Sequence, residues 1–296
     1  MSRRLPAAVW FLAPALAALA VFFFVPVAAG FLLSLTDFDV YAIGDPGTLR
    51  FTGLRNYRTL LADPLFWTAL RNTLFFVGVG GPLAIGLSLG AALLVNAGAV
   101  RLHGLFRTVF FLPVVATLVA VAIVWRALYH PRVGPFAELL RALGLPPIDW
   151  LGDPRLAMPA LIAMAVWKNF GFHLVILLAG LQAIPERLYE AARIDGAGAW
   201  QQLRHVTLPM LAPTLLFVSL STGIGYFQLF AEPYVMTDGG PSNATLSIVL
   251  LMFREGFRWW NLGYAAAVAF VLFLLILAAS ALQLRLRRGD SLEGAA

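Results

Sequence analysis

The sequence predicts an all-α polytopic membrane protein with six transmembrane helices joined by polar loops. Two observations carry this. The 296 residues are 60% hydrophobic and only 12% charged, whereas an ordinary soluble domain carries about 25% charge. The charges cluster between apolar runs long enough to cross the hydrocarbon, which takes about 20 residues per helix. Cysteine is absent, which excludes disulfides, thiolate metal sites and cysteine nucleophiles. The net charge is +6, and every Lys or Arg but Lys168 is an arginine. Those arginines are scattered between apolar runs, so they imply membrane lipid headgroups as partners and no nucleic acid.

Taken in order, helix 1 lies within about 7–35, because no charge appears between Arg4 and Asp37. This run is much longer than the roughly 7–15-residue apolar core of a cleavable signal peptide, so it is expected to remain as a span. Residues 36–70 form a polar loop with turn signals at Asp45-Pro46-Gly47 and Asp63-Pro64. Helix 2 is expected over 72–97, where Gly78, Gly80, Gly81 and Pro82 permit a kink or a close approach. Gly86 and Gly90 form a GxxxG pattern that suits close helix packing. A short loop with Arg101, His103 and Arg107 leads to helix 3 at 108–128, with Pro113 in its first half. A loop rich in Pro and Gly fills 129–156, and helix 4 follows at 157–184. Helix 5 runs over 209–231, opened by Pro209, since proline is tolerated in a first helical turn. The loop 232–261 holds Thr237-Asp238-Gly239-Gly240-Pro241, and helix 6 covers 262–284 before Arg285, Arg287 and Arg288. No linker, low-complexity stretch or internal repeat interrupts this order, so 1–296 reads as one transmembrane domain.

One polar stretch, 185–208, separates helices 4 and 5 and carries Glu190, Arg193, Asp195, Arg204 and His205. Helix formers fill both halves and Gly196 and Gly198 break the middle, which predicts two short helices with a turn. The order Glu190-Ala191-Ala192, Asp195-Gly196-Ala197, then Leu208-Pro209 and Pro213 resembles the EAA loop of binding-protein-dependent ABC importer permeases. The resemblance implies a cytoplasmic helix–turn–helix that docks in a groove of an ATPase subunit. It implies that Glu190 offers a carboxylate to a basic group there and that Gly196 permits the turn. Leu203, where the family more often has Phe, would seat the loop with the other apolar residues. Gly239-Gly240-Pro241, Thr245 and Gly263-Tyr264-Ala265-Ala266-Ala267 resemble the sugar-importer branch typified by maltose, lactose and glycerol-3-phosphate systems. Six spans then put both termini on the cytoplasmic side of a bacterial or archaeal plasma membrane. Arginine counts do not decide orientation, because only their density in the shorter loops favours that side. Orientation therefore rests on the resemblance.

A phosphate-binding loop needs Gly-x-x-x-x-Gly-Lys-Ser/Thr, and the one lysine, Lys168, sits between Trp167 and Asn169 in an apolar run. His103, His130, His173 and His205 are dispersed without metal-ligand spacing. The chain is thus expected to be no enzyme and to hold no cofactor. The resemblance implies ATP and Mg2+ on a partner. It also implies a second homologous permease, two ABC ATPase subunits (or a homodimer) and an external substrate-binding protein. ATPase closure would move the docked loop and rock the helices between two faces of a central site.

Polar side chains at mid-membrane depth are costly and mark functional sites. Helix 4 offers Lys168, Asn169 and His173 beside Phe172, and helix 5 offers Thr222, Tyr226 and Gln228 with Gly223 and Gly225. The resembled sugar importers bind solute between these helices. Lys168, Asn169, Phe172, Thr222, Gly225, Tyr226 and Gln228 are accordingly expected to contact a sugar or sugar-like solute, from a monosaccharide to an oligosaccharide or a glycerol phosphate. Two readings of Lys168 stay open: it attracts an anionic solute such as a phosphorylated polyol, or it pairs structurally with a neighbouring helix or the partner permease. An ion-coupled secondary carrier is the alternative class. It needs membrane acids, and no Asp or Glu falls inside any predicted helix.

Overall fold

The structure, a computed structural model, describes residues 5–97 and 103–293, so Arg3, Arg4 and Arg101 lie outside it. Among the described residues the regular secondary structure is helical apart from one isolated antiparallel bridge between Thr36 and Phe51. Five helices are long and apolar enough to cross a membrane: Val9–Ser34, Pro64–Asn96, Ala157–Gln182, Ala199–Phe227 and Leu262–Leu286. They are spans 1, 2, 4, 5 and 6. Span 3 is a bent pair, Val109–Val115 and Leu118–Leu128, with 113° between its halves.

A continuous third helix was expected over 108–128, and the break has a physical cause. Thr117 is extended (φ −64°, ψ 142°), which ends the helical ladder and leaves carbonyls without partners. The Lys168 ammonium donates to two of them, Pro113 O at 3.2 Å and Ala116 O at 3.0 Å. A side chain more than fifty residues downstream in the sequence therefore caps the break.

The chain divides into two compact units. One comprises the chain up to Trp67 together with Leu251–Leu274. Here Asn56 Nδ2 donates to Ser34 O (2.8 Å) and Thr36 O (2.7 Å) and so caps the end of span 1. The Thr36 carbonyl also stands where a Cβ on Gly263 would project, so only glycine fits there. The Gly263 N–H donates to Phe38 O at 2.7 Å, and Tyr264 OH donates to Asp63 Oδ2 at 2.9 Å.

The second unit, Thr68–Leu250 with the chain from Leu275, holds the core that positions the candidate site. Span 2 presents a stripe of small residues, Ala84, Ser88 and Ala92, all fully buried. Ser88 Oγ donates to Phe170 O of span 4 at 3.1 Å. The GxxxG pair does not make this contact, because Gly86 and Gly90 both face open space. Glycine does matter at Gly171, where an added Cβ would run into the Phe110 carbonyl. It also matters at Gly180, where one would stand 2.7 Å from Thr214 Oγ1.

Prolines mark three of the spans in the same way. Wide π-helical turns at Ala20–Phe24, Phe76–Gly80 and Leu203–Thr207 each end two residues before a proline: Pro26, Pro82 and Pro209. A proline ring clashes with the carbonyl four residues back and offers no N–H. Widening that turn relieves the clash without ending the helix.

Candidate solute cavity and coupling loop

A cavity of about 340 Å³ opens beside spans 4 and 5 in the second unit. Lys168, Asn169, Phe172, Thr222, Gly225, Tyr226 and Gln228 all line it, so one hollow gathers the seven residues expected to meet solute. His173 and Glu232 join them. A larger hollow of about 1240 Å³, between residues such as Leu83, Leu112, Val124 and Phe170, is lined by apolar side chains and offers nothing to orient a polar solute.

Packing fixes the cavity wall. The Tyr226 ring lies 4.9 Å from that of Phe76, and it covers Gly80, where an added Cβ would come within 3.1 Å of it. Gly225 has no atom within 4 Å of its missing Cβ, so its backbone is open to the hollow. Ser219 and Ser221 bond carbonyls of their own helix, which removes their protons from any ligand.

Two buried polar atoms in the wall lack a close hydrogen-bond partner: His173 Nδ1, and the Tyr226 hydroxyl, which has only the Asn169 side chain beside it. Native proteins seldom leave such groups orphaned, so they call for a ligand or water. The Thr222 hydroxyl bonds Val218 O (2.7 Å) and meets His173 Nε2 (2.9 Å). It has one proton to give. Given to Val218, that proton leaves Nε2–H of a neutral ring as the donor to Thr222 and Nδ1 as a bare acceptor. Asn169 Nδ2 donates to Ala165 O at 2.9 Å, which turns its amide along its own helix.

Lys168 donates to two carbonyls at the break in span 3 while it also lines the cavity. Glu232 escaped the sequence reading. It lies just past the predicted end of helix 5, on the short helix Ala231–Met236 after the true end at Phe227. It is only 8% exposed. Burial pushes its carboxyl above the usual carboxylate range, and its own backbone N–H and the Lys168 charge draw it back. A buried acid is what an ion-coupled carrier needs, so the absence of acids from the predicted helices is a weaker argument against that class than it looked.

The loop that carries Glu232 is stapled. Asn72 Nδ2 donates to Asn243 O (2.9 Å) and Leu246 O (3.0 Å). Ser247 Oγ donates to Leu229 O at 2.6 Å, and Thr237 and Thr245 hydroxyls meet at 2.7 Å.

At the polar stretch, the first helix is Glu186–Ile194. It ends in a Schellman turn: Ala197 N–H donates to Ala192 O (2.8 Å) and Gly196 N–H to Arg193 O (3.1 Å). Gly196 sits at φ +79°, a conformation that costs other residues strain. The second helix is not a separate short one. It starts at Ala199 and runs on through Leu203, Leu208 and Pro209 as span 5, because the wide turn before Pro209 keeps the helix continuous. Tyr189 OH and Thr207 Oγ1 meet at 3.0 Å and tie the first helix to it. Glu190, Ala191 and Asp195 are exposed. Beside them Ile194 is 86% and Trp200 70% exposed, two apolar side chains that the motif alone did not single out. Ala192, Asp195, Gly196 and Ala197 also border a hollow of about 280 Å³ with His205.

The family described as binding-protein-dependent transport system inner membrane component matches residues 83–289. The lactose transport system permease protein LacF of Rhizobium radiobacter is 38% identical over 92% of this chain and 91% of its own length. The trehalose/maltose transport system permease protein MalF of Thermococcus litoralis is 36% identical over 93% of this chain and 91% of its own. Among solved structures, a chain of a bacterial alginate ABC transporter, in complex with a periplasmic protein carrying an alginate pentasaccharide, shares the fold. The TM-score is 0.76 at 22% identity, over 94% of this chain and 92% of that one.

Proposed function

The chain belongs to the binding-protein-dependent transport system inner membrane component family, and from that premise we propose that it forms the solute path of an ATP-driven importer for a sugar or sugar-like solute. The observation that carries the solute class is the 340 Å³ cavity, which combines aromatic faces with unpartnered hydrogen-bonding atoms. A sugar presents hydroxyls to such atoms and its apolar face to such rings. The relatives named for lactose and for trehalose/maltose support the same class.

The motor is another chain. A second permease, two ATPase subunits holding ATP and Mg2+, and an external binding protein complete the assembly. Glu190 reaches a basic group of the ATPase, and Ile194 and Trp200 enter its groove from either side of the Gly196 turn. This places the loop 185–208 and both termini in the cytoplasm. ATP-driven closure pulls the loop, and span 5 carries the motion to Thr222, Gly225 and Tyr226.

The experiment is co-purification with the tagged chain, followed by an ATPase assay. A second permease and an ATPase stimulated by a sugar-loaded binding protein are expected, and Glu190→Ala and Gly196→Val should abolish that stimulation while the chain still folds. Normal stimulation in both variants would remove the loop from the coupling path.

A further inference from the structure

Resting on the reading of the 340 Å³ cavity as the solute site, we propose that Glu232 determines specificity: its carboxylate takes hydroxyl donors from a neutral sugar and keeps anionic sugars out. Glu232 and Lys168 are the charged side chains in the cavity wall, and they are not equally available. An ammonium has three N–H donors, and Lys168 gives two of them to Pro113 O and Ala116 O. A phosphate entering the cavity finds one donor at most on that side. The Glu232 carboxylate makes no direct salt bridge among the described residues. Its own backbone N–H and the nearby Lys168 charge favour its ionised form against burial, and it accepts through two oxygens whose spacing suits adjacent hydroxyls on a ring.

The backbone under the carboxylate is also held in place. Its helix, Ala231–Met236, lies between Leu229, whose carbonyl takes the Ser247 hydroxyl, and Thr237, whose hydroxyl donates to Pro233 O at 3.0 Å. Asn72 holds the far end of the same loop. The backbone that carries Glu232 is therefore fixed beside the cavity. Beside Glu232, a solute phosphate or carboxylate meets like charge in a medium of low dielectric, where repulsion is poorly screened. This favours neutral and amino sugars and excludes sugar phosphates, uronates and glycerol phosphate.

The test is equilibrium binding by saturation-transfer NMR on the assembled permease–ATPase complex without its binding protein. The probes are lactose and trehalose against lactobionate and trehalose 6-phosphate. Wild type is expected to bind at least one neutral sugar and neither anion. Glu232→Gln keeps the shape and removes the charge. Neutral affinity should then fall about tenfold, the scale of a lost charge-assisted hydrogen bond, and the anions should enter. Unchanged neutral affinity with the anions still excluded overturns the proposal, and a fall in neutral affinity without their entry overturns the exclusion. Asn169→Ala and Tyr226→Phe separate this from the underlying reading. If they weaken neutral binding and Glu232→Gln does not, the Glu232 role alone fails. If none of the three changes it, or wild type binds neither neutral sugar, the cavity is not the solute site and both fail.

Discussion

Tyr226 shows how one atom ties stability to function. Its ring is buried against Phe76 and Gly80, yet its hydroxyl lacks a close hydrogen-bond partner, with only the Asn169 side chain beside it. A buried hydroxyl left unpaired costs about 1–3 kcal/mol. Tyr226→Phe removes that cost and keeps the ring. The variant is expected to melt higher than wild type in detergent while sugar uptake by the assembled importer falls about tenfold. A variant that transports normally would place the hydroxyl outside the solute path. Lys168 illustrates what spacing along a sequence conceals. Its depth in the membrane was legible, but its role was not. The carbonyls that hold it come from a helix break at Ala116–Thr117, and no glycine there announces it. Glu232 was missed for a related reason. An acid followed by Pro233 reads as loop, and only the fold turns that loop back against the cavity.

Among the helices, the charge-free runs announced the spans because hydrocarbon tolerates so few charges. Which face of each helix packs was not announced. Span 2 carries two small stripes, Gly86 with Gly90 and Ala84 with Ser88 and Ala92, and both satisfy the same four-residue spacing. They lie two residues apart in phase, on nearly opposite faces of a helix with 3.6 residues per turn. The structure buries the second stripe and leaves the first open. Gly86→Ala should therefore leave expression and melting temperature unchanged. Gly171→Ala, which drives a methyl group into the Phe110 carbonyl, should destabilise by about 1–3 kcal/mol, the usual cost of overpacking. Thermal melts of the two purified variants check this, and equal losses would contradict the packing described. The wide turns before Pro26, Pro82 and Pro209 show the same limit: proline predicts a disturbance, while the surrounding helix decides whether it breaks or merely widens.

For the whole molecule, orientation is the property that composition left open, since the arginines divide evenly between the two sides. It follows from placing the loop 185–208 against an ATPase. The native chain has no cysteine, so single replacements report without background. Leu143→Cys, at a side chain 65% exposed, should react with an impermeant maleimide on intact cells. Arg187→Cys, at an exposed position on the first coupling helix, should react only after permeabilisation. The reverse pattern would put the loop outside and detach it from any cytoplasmic motor.

Span 5 has a geometric consequence of its own. Ala199–Phe227 is one helix of 29 residues, and at 1.5 Å per residue Trp200 and Tyr226 stand about 39 Å apart along it. A rod of that length magnifies small angles. A tilt of about 10° around the Trp200 end carries the Tyr226 end roughly 7 Å sideways, more than twice the span of a hydrogen bond. A rotation too slight to disturb packing near its pivot is enough to make or dissolve the grip on a solute at the far end.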